Sequence, residues 1–187
     1  MSETLDFKIT DYHLGYFRSF SGIPINLRCP RPEDIDIRDI AAALSKICRF
    51  GGHSRTFYSV AQHSILVAHL TLESMAGIGL LHDAAEAYLG DVIKPLKVIL
   101  GDGYASLEAS FERAIFRKFG LPIEHKAIIK EADELALEIE NECFMDGNPD
   151  RFHGFCRAFG LPFHATEPGW SPHEAETNFK FFASVLL

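Results

Sequence analysis

No apolar run in the sequence approaches the ~18 residues that a membrane-spanning helix needs, so a helical membrane protein is not expected. The opening residues, MSETLDFKIT, lack a basic segment followed by an apolar stretch, so no secretory leader is expected either. Cysteine is scarce. Cys29, Cys48, Cys143 and Cys156 include no C-x-x-C pair, which excludes the zinc ribbon and the thioredoxin-type dithiol. So few thiols in 187 residues read as free cysteines in a reducing compartment, and a cytoplasmic location is expected. Positive charge is also short, with 18 Lys+Arg against 26 Asp+Glu and a net charge of −8. That balance argues against a general binder of duplex nucleic acid, which needs a basic face. It leaves room for a small anionic substrate, because a local basic cluster can oppose the global charge. Internal repeats and low-complexity tracts are absent.

What is present suits one globular domain over residues 1–187, with a core at about 36–145. Residues 1–35 are aromatic and broken by Ser21-Gly22 and Pro30-Arg31-Pro32, which predicts short strands or a hairpin. From Asp36 the apolar period becomes helical: Ile37, Ile40, Ala41, Leu44, Ile47 and Cys48, with Gly51-Gly52 as the stop. Ser59 and Gln62 read as a capping box that opens a second helix. A third covers about 75–89 and stops at Gly90; Pro95 opens a short turn of helix. A fourth runs over 104–119 to Gly120. Pro122 opens a fifth that reaches about Met145, with the apolar stripe Ile128, Ala132, Leu135, Ala136 and Ile139. The stretch 146–170, rich in Gly and Pro, reads as mostly loop. Ser171-Pro172-His173-Glu174 is a second capping box before a terminal helix. The fold class expected is all-α, a helical bundle with a short irregular or β N-terminal segment.

Chemistry concentrates on three of these helices. His63 lies on the second, His82-Asp83 on the third and Asp133 on the fifth. Facing helices of a bundle can bring such residues together. Two imidazoles and two carboxylates suit a borderline divalent transition metal such as Co, Mn, Fe, Ni or Zn, with positions left for water and substrate. The ligands sit in apolar surroundings, Gly79-Leu80-Leu81 before His82 and Ala132 and Ala136 beside Asp133. A carboxylate at a core edge is costly unless it is paired or binds metal. Glu86 projects from the same side of its helix as His82, and Asp91 follows the helix end at Gly90.

These residues resemble the HD-domain phosphohydrolases. His63, His82-Asp83 and Asp133 look like that family's four metal ligands. The series His82-Asp83-Ala84-Ala85-Glu86, Gly90-Asp91 and Pro95-Leu96-Lys97, with Arg49-Phe50 before it and Lys130-Glu131-Ala132-Asp133 after it, resembles the YfbR-like 5′-deoxynucleotidases and the deoxyadenosine triphosphohydrolases of some phages. The segment Gly52–His63 departs from the well-studied nucleotidases and leaves the substrate open. The resemblance implies a metal-dependent hydrolase that cleaves at the 5′-oxygen of (deoxy)nucleotides. It would release phosphate from 5′-monophosphates or triphosphate from deoxynucleoside triphosphates. It implies a homo-oligomer, and a second divalent ion can accompany the substrate phosphates.

Physical roles follow for the remaining residues. Glu86 can orient or deprotonate the attacking water, and Asp91 can protonate the leaving oxygen if its pKa is raised. Arg49, Lys97 and Lys130 are candidate phosphate contacts. Plainer readings stand beside these: Arg49 answering a helix C-terminus, the two lysines on a solvated face, Asp91 as a turn residue, Phe50 as core rather than base platform. His53 and Arg55 lie near the site in sequence. His69, His125, His153, His164 and His173 read as surface or structural, and Trp170 as a packing anchor. The acidic run Glu131, Glu134, Glu138, Glu140 and Glu142 reads as a solvated helix face. Two competing functions are a guanosine alarmone hydrolase and a catalytically silent nucleotide-binding module. The alarmone pattern has an acidic pair where this chain has Glu86-Ala87. Retention of every ligand weighs against the silent module.

Overall fold

The computed structural model describes residues 8–162 and 168–187, and of residues 9, 10 and 125–127 only the backbone. His164 therefore lies outside the described residues, as does the side chain of His125. The fold is all-α with one small hairpin, as the sequence predicts. A short helix α1 (Ile9–His13) leads into strands β1 (Tyr16–Arg18) and β2 (Pro24–Asn26). The strands pair antiparallel, Phe17 opposite Ile25, and bury Ile25 against the helices.

Helix α2 (Ile37–Leu44) starts where Asp36 accepts a hydrogen bond from the Arg38 backbone N–H at 2.8 Å. It ends at Leu44, earlier than the Gly51-Gly52 stop expected from sequence. The chain then turns extended at Cys48, which bridges to Ser59. Helix α3 (Val60–Leu70) is buried around most of its surface, which makes it the central helix. Its N-cap is real, since Ser59 Oγ accepts from the Gln62 backbone N–H at 3.2 Å. The return arm of the expected capping box is absent. The Gln62 amide instead donates to the Pro168 carbonyl at 3.0 Å and accepts from the Trp170 backbone N–H at 2.9 Å. A core position and two backbone partners outweigh a local cap.

The third expected helix is two. Helix α4 (Ala76–Leu81) and helix α5 (Glu86–Leu89) are separated by a tight turn at 82–85 with i→i+3 bonds, Ala84 N–H to Leu81 O and Glu86 N–H to Asp83 O. Gly90, at φ 81°, ends α5 in a conformation that costs other residues a steric penalty. Helix α4 packs closely on α3 through its glycines. A Cβ at Gly79 would stand 3.0 Å from Ala68 Cα and 3.2 Å from Ala68 N. Gly79→Ala is therefore expected to cost about 1–3 kcal/mol by overpacking this crossing, read by urea unfolding. No loss of stability would mean that the two helices can separate freely.

Helix α6 (Lys94–Leu100) has Pro95 in its first turn, and helix α7 (Asp102–Phe119) closes on Gly120, both as expected. Helix α8 (Lys126–Glu140) runs into a wider π turn at Asn141–Met145. Its buried stripe is Ile129, Ala132, Ala136 and Ile139, continued by Cys143; the expected stripe members Ile128 and Leu135 are exposed. Most of the described part of 146–170 is irregular, as expected, but Asp150–Ala158 within it forms helix α9, with Phe152, His153 and Cys156 buried. The apolar spacing of Phe152, Phe155 and Cys156 outweighed its flanking Gly and Pro. Helix α10 (Pro172–Leu186) begins with the expected reciprocal capping box of Ser171 and Glu174. Trp170 is buried and donates its indole N–H to the Pro162 carbonyl at 2.6 Å. Phe179 enters the core, Phe181 stays exposed, and Phe182 packs on the His69 ring. The four cysteines are free thiols. Among the described residues no helix is long and apolar enough to cross a membrane.

Candidate metal centre

The α3–α4 crossing sets the site. His63 projects from the first turn of α3 and is fully buried, and His82 occupies the turn that follows α4. Their Nε2 atoms stand 3.2 Å apart. Asp83 Oδ2 lies 3.4 Å from His63 Nε2 and 3.1 Å from His82 Nε2. Asp133 Oδ1, from α8, lies 3.2 Å and 3.8 Å from the same two nitrogens. All four sequence-predicted ligands thus converge on one point, and the ligand atoms of His63, His82 and Asp133 lie within 4.8 Å of one another.

Hydrogen bonding fixes which ring nitrogens face inward. His63 Nδ1–H donates to Glu140 Oε1 at 2.5 Å, and His82 Nδ1–H donates to the Gly79 carbonyl at 2.7 Å. Neither acceptor can donate in return, so each neutral imidazole presents a bare Nε2 lone pair to the other. Two lone pairs and two carboxylates around one point repel unless a cation sits among them. The donor set therefore fits a metal ion, which His63, His82, Asp83 and Asp133 would hold.

Without the ion, protons take that place. Burial works against charge on His82, but Asp83 and Asp133 outweigh it and raise its pKa to about 9. His63 is likewise raised, burial and Arg49 being overcome by Glu140, Asp133 and Asp83. Against burial, the two histidines hold Asp83 and Asp133 well below the usual carboxylate range. The stability given by a raised imidazole is complete below its unfolded pKa of about 6.5 and is lost as pH rises through its folded value. The depressed carboxylates contribute above about pH 4 and lose that contribution as pH falls. The metal-free protein is thus expected to lose stability from about pH 6.5 towards 9. A metal needs deprotonated imidazoles, so the gain in Tm on adding Mn²⁺ should grow over that interval. Thermal melts with and without the ion check this; a gain that shrinks as pH rises would count against the site.

One part of the site escaped sequence reading. Glu140, placed there on a solvated face, has 0% exposure. Its Oε1 also accepts the Tyr58 hydroxyl at 2.8 Å, and its Oε2 pairs with Arg49 Nη2 at 3.2 Å. Burial is overcome by Arg49 and His63, which hold Glu140 below its ordinary pKa. The available signal was phase: Glu140 follows Ala132 and Ala136 at four-residue steps and so shares their buried face. The other acidic residues of that run, Glu131, Glu134, Glu138 and Glu142, lie outside the core.

Above the ligands opens a cavity of about 460 Å³. Asp83 and Asp133 form its floor, with Glu86, Asp91, Arg49, Lys97 and Lys130 among its walls. Every predicted site residue except the two deeper histidines lines this space. Contrary to expectation, Arg49 does not end the preceding helix; it follows the extended Cys48, and its Nη1 also reaches Asp83 Oδ2 at 3.5 Å. The next residue, Phe50, takes a left-handed φ of 58° and lines the cavity. Such strain in a bulky residue is worth about 1–3 kcal/mol and clusters at functional sites.

Glu86 is almost wholly buried, and its Oε2 has no hydrogen-bond partner among the described residues. Burial, reinforced by Asp83 and Asp91, raises its pKa to about 8. Burial also raises Asp91. Lys97 Nζ lies 3.4 Å from Glu86 and 2.7 Å from Glu108. Lys130 is solvated at the rim and pairs with Glu134 at 3.6 Å. Arg55 does not line the cavity; its Nε donates to the Met145 carbonyl at 2.7 Å, and His53 is likewise outside the lining.

Fold and site together define an all-α protein with a candidate His/Asp metal centre at the base of an open, charged cavity. The Escherichia coli protein YfdR is 41% identical over 127 residues, which cover 68% of this chain and 71% of YfdR. The Rhodobacter capsulatus protein RCAP_rcc00048 is 39% identical over 153 residues, which cover 73% of this chain and 78% of that protein. The chain belongs to the family that contains YfdR. Both relatives carry the description "uncharacterized protein", and no model of a known protein family matches.

Proposed function

We propose that this protein is a metal-dependent phosphohydrolase of the HD type that cleaves at the 5′-oxygen of (deoxy)nucleotides. The observation that carries the reading is the pair of Nε2 lone pairs facing each other between Asp83 and Asp133, beneath a cavity lined by Glu86, whose Oε2 has no partner among the described residues, and by four cations, Arg49, Lys94, Lys97 and Lys130. The donor set suits Mn, Co, Fe, Ni or Zn. When bound, the ion supplies Lewis acidity towards a phosphoryl oxygen and acidifies water.

The chain's own groups do the rest. Glu86, which lines the cavity and whose Oε2 has no partner among the described residues, orients the attacking water and takes its proton. Lys97, beside Glu86, and Lys130 at the rim meet phosphate oxygens as point charges. Arg49 stands in the wall with its charge shared between Asp83 and Glu140, and it steadies the phosphoryl group from that side. Asp91, whose raised pKa favours the protonated form, gives a proton to the departing 5′-oxygen.

The test is incubation of the protein with nucleoside mono- and triphosphates plus Mn²⁺ or Co²⁺, with products separated by chromatography and Asp83→Ala alongside. Nucleoside plus inorganic phosphate identifies a nucleotidase, and nucleoside plus intact triphosphate identifies a triphosphohydrolase. Metal-loaded protein that turns over neither class, or turnover that survives Asp83→Ala, overturns the proposal.

A further inference from the structure

We infer that a second anion site lies between the segment after β2 and helix α7, and that it takes a small phosphate-bearing anion. A depression of about 330 Å³ there is lined by Arg28, Arg113 and Arg117, with Pro30, Pro32 and Ala114 as apolar walls. It shares no lining residue with the cavity over the candidate metal centre.

Charge is the first argument. On a chain of net charge −8, three guanidiniums line one concavity and, among the described residues, no carboxylate does. Among the described residues none of the three makes an ion pair, whereas Arg31, in the same segment, is paired with Asp34 at 2.8 Å. Arg113 and Arg117 stand one turn apart on the same face of α7, an arrangement in which like charges repel. An anion between them removes that cost.

The helix dipole supplies only part of a simpler account. Arg117 lies in the last turn of α7, where a cation meets the unpaired carbonyls. Arg113 lies a turn earlier, and Arg28 comes from a different part of the chain. Neither is explained by the helix end. Guanidinium forks match the geometry of phosphate oxygens. The concave shape and the proline walls favour a compact anion over an extended polymer.

Calorimetric titration of the metal-free protein with inorganic pyrophosphate tests this, because metal-free protein separates the site from any turnover. Arg113→Ala/Arg117→Ala is expected to weaken pyrophosphate binding at least tenfold. Arg28→Ala, altering the opposite wall, is expected to weaken it in the same direction. Arg151→Ala, an exposed arginine outside both cavities, should leave this binding within about twofold. All three lining arginines are exposed, so melts of the variants should match the parent. Titration with ADP distinguishes the source: tighter binding than pyrophosphate places a nucleoside against the prolines, and equal binding identifies an inorganic anion. Pyrophosphate affinity unchanged in the variants of the lining arginines, or preference for an acidic peptide, overturns the inference.

Discussion

Glu140→Ala is expected to destabilise the metal-free protein by about 3–5 kcal/mol, the cost of stranding buried charges. Glu140 is fully buried and serves three partners at once: Arg49, His63 and Tyr58. Only the surrounding donors make that position tolerable. Alanine would leave Arg49 buried opposite a void and His63 Nδ1 without an acceptor. Glu140→Gln keeps the volume and one acceptor oxygen but removes the charge. That variant should stay folded and bind a divalent ion about 10–100-fold more weakly, since the orientation and basicity of His63 depend on the partner behind it. Urea unfolding reads the first variant and metal titration the second. An alanine variant within about 1 kcal/mol of the parent, or a glutamine variant with unaltered metal affinity, would remove Glu140 from this role.

The second large effect concerns turnover. Glu86→Gln is expected to lower kcat by about 10²–10⁴-fold while KM changes little. Glutamine preserves the shape of a nearly buried side chain and can still hold a water, but it cannot accept a proton. The pKa of about 8 that burial, Asp83 and Asp91 impose on the metal-free protein favours proton exchange near neutral pH. A metal beside Asp83 adds positive charge and lowers that value, so the rising limb of the pH–rate profile should lie below pH 8. In Glu86→Gln that limb should disappear. A variant with raised KM and unchanged kcat would show that Glu86 binds substrate and moves no proton. Folding needs its own check, because Lys97 loses one of its two carboxylate partners in this variant.

Much of the site was legible along the chain because it depends on residue type and order. His63, His82-Asp83 and Asp133 announce metal-ligand chemistry by identity, and the apolar neighbours of His82 announce that the helix bearing it is inside. Glu86 and Asp91 follow from their offsets to that pair. Helix starts at Ser59 and Ser171 and the end at Gly120 are local events, decided by hydrogen bonds within a few residues.

The rest was decided in three dimensions. Gln62 forsakes its local cap because Pro168 and Trp170, distant in sequence, offer it better partners. Helix α2 stops early because Cys48 is drawn into an extended bridge with Ser59. Helix α9 forms where Gly and Pro suggested loop, because Phe152 and Cys156 find a core to enter. Glu140 is the clearest case. An isolated helix gives no reason to bury a glutamate, and nothing near it in sequence carries positive charge. Its burial is favourable only once Arg49 from the turn after α2 and His63 from α3 arrive on the same side. Local sequence determines which groups can hold a metal, cap a helix or break one, since those are short-range preferences. Which charges can be buried depends on partners brought from elsewhere in the chain, and only the tertiary structure brings them.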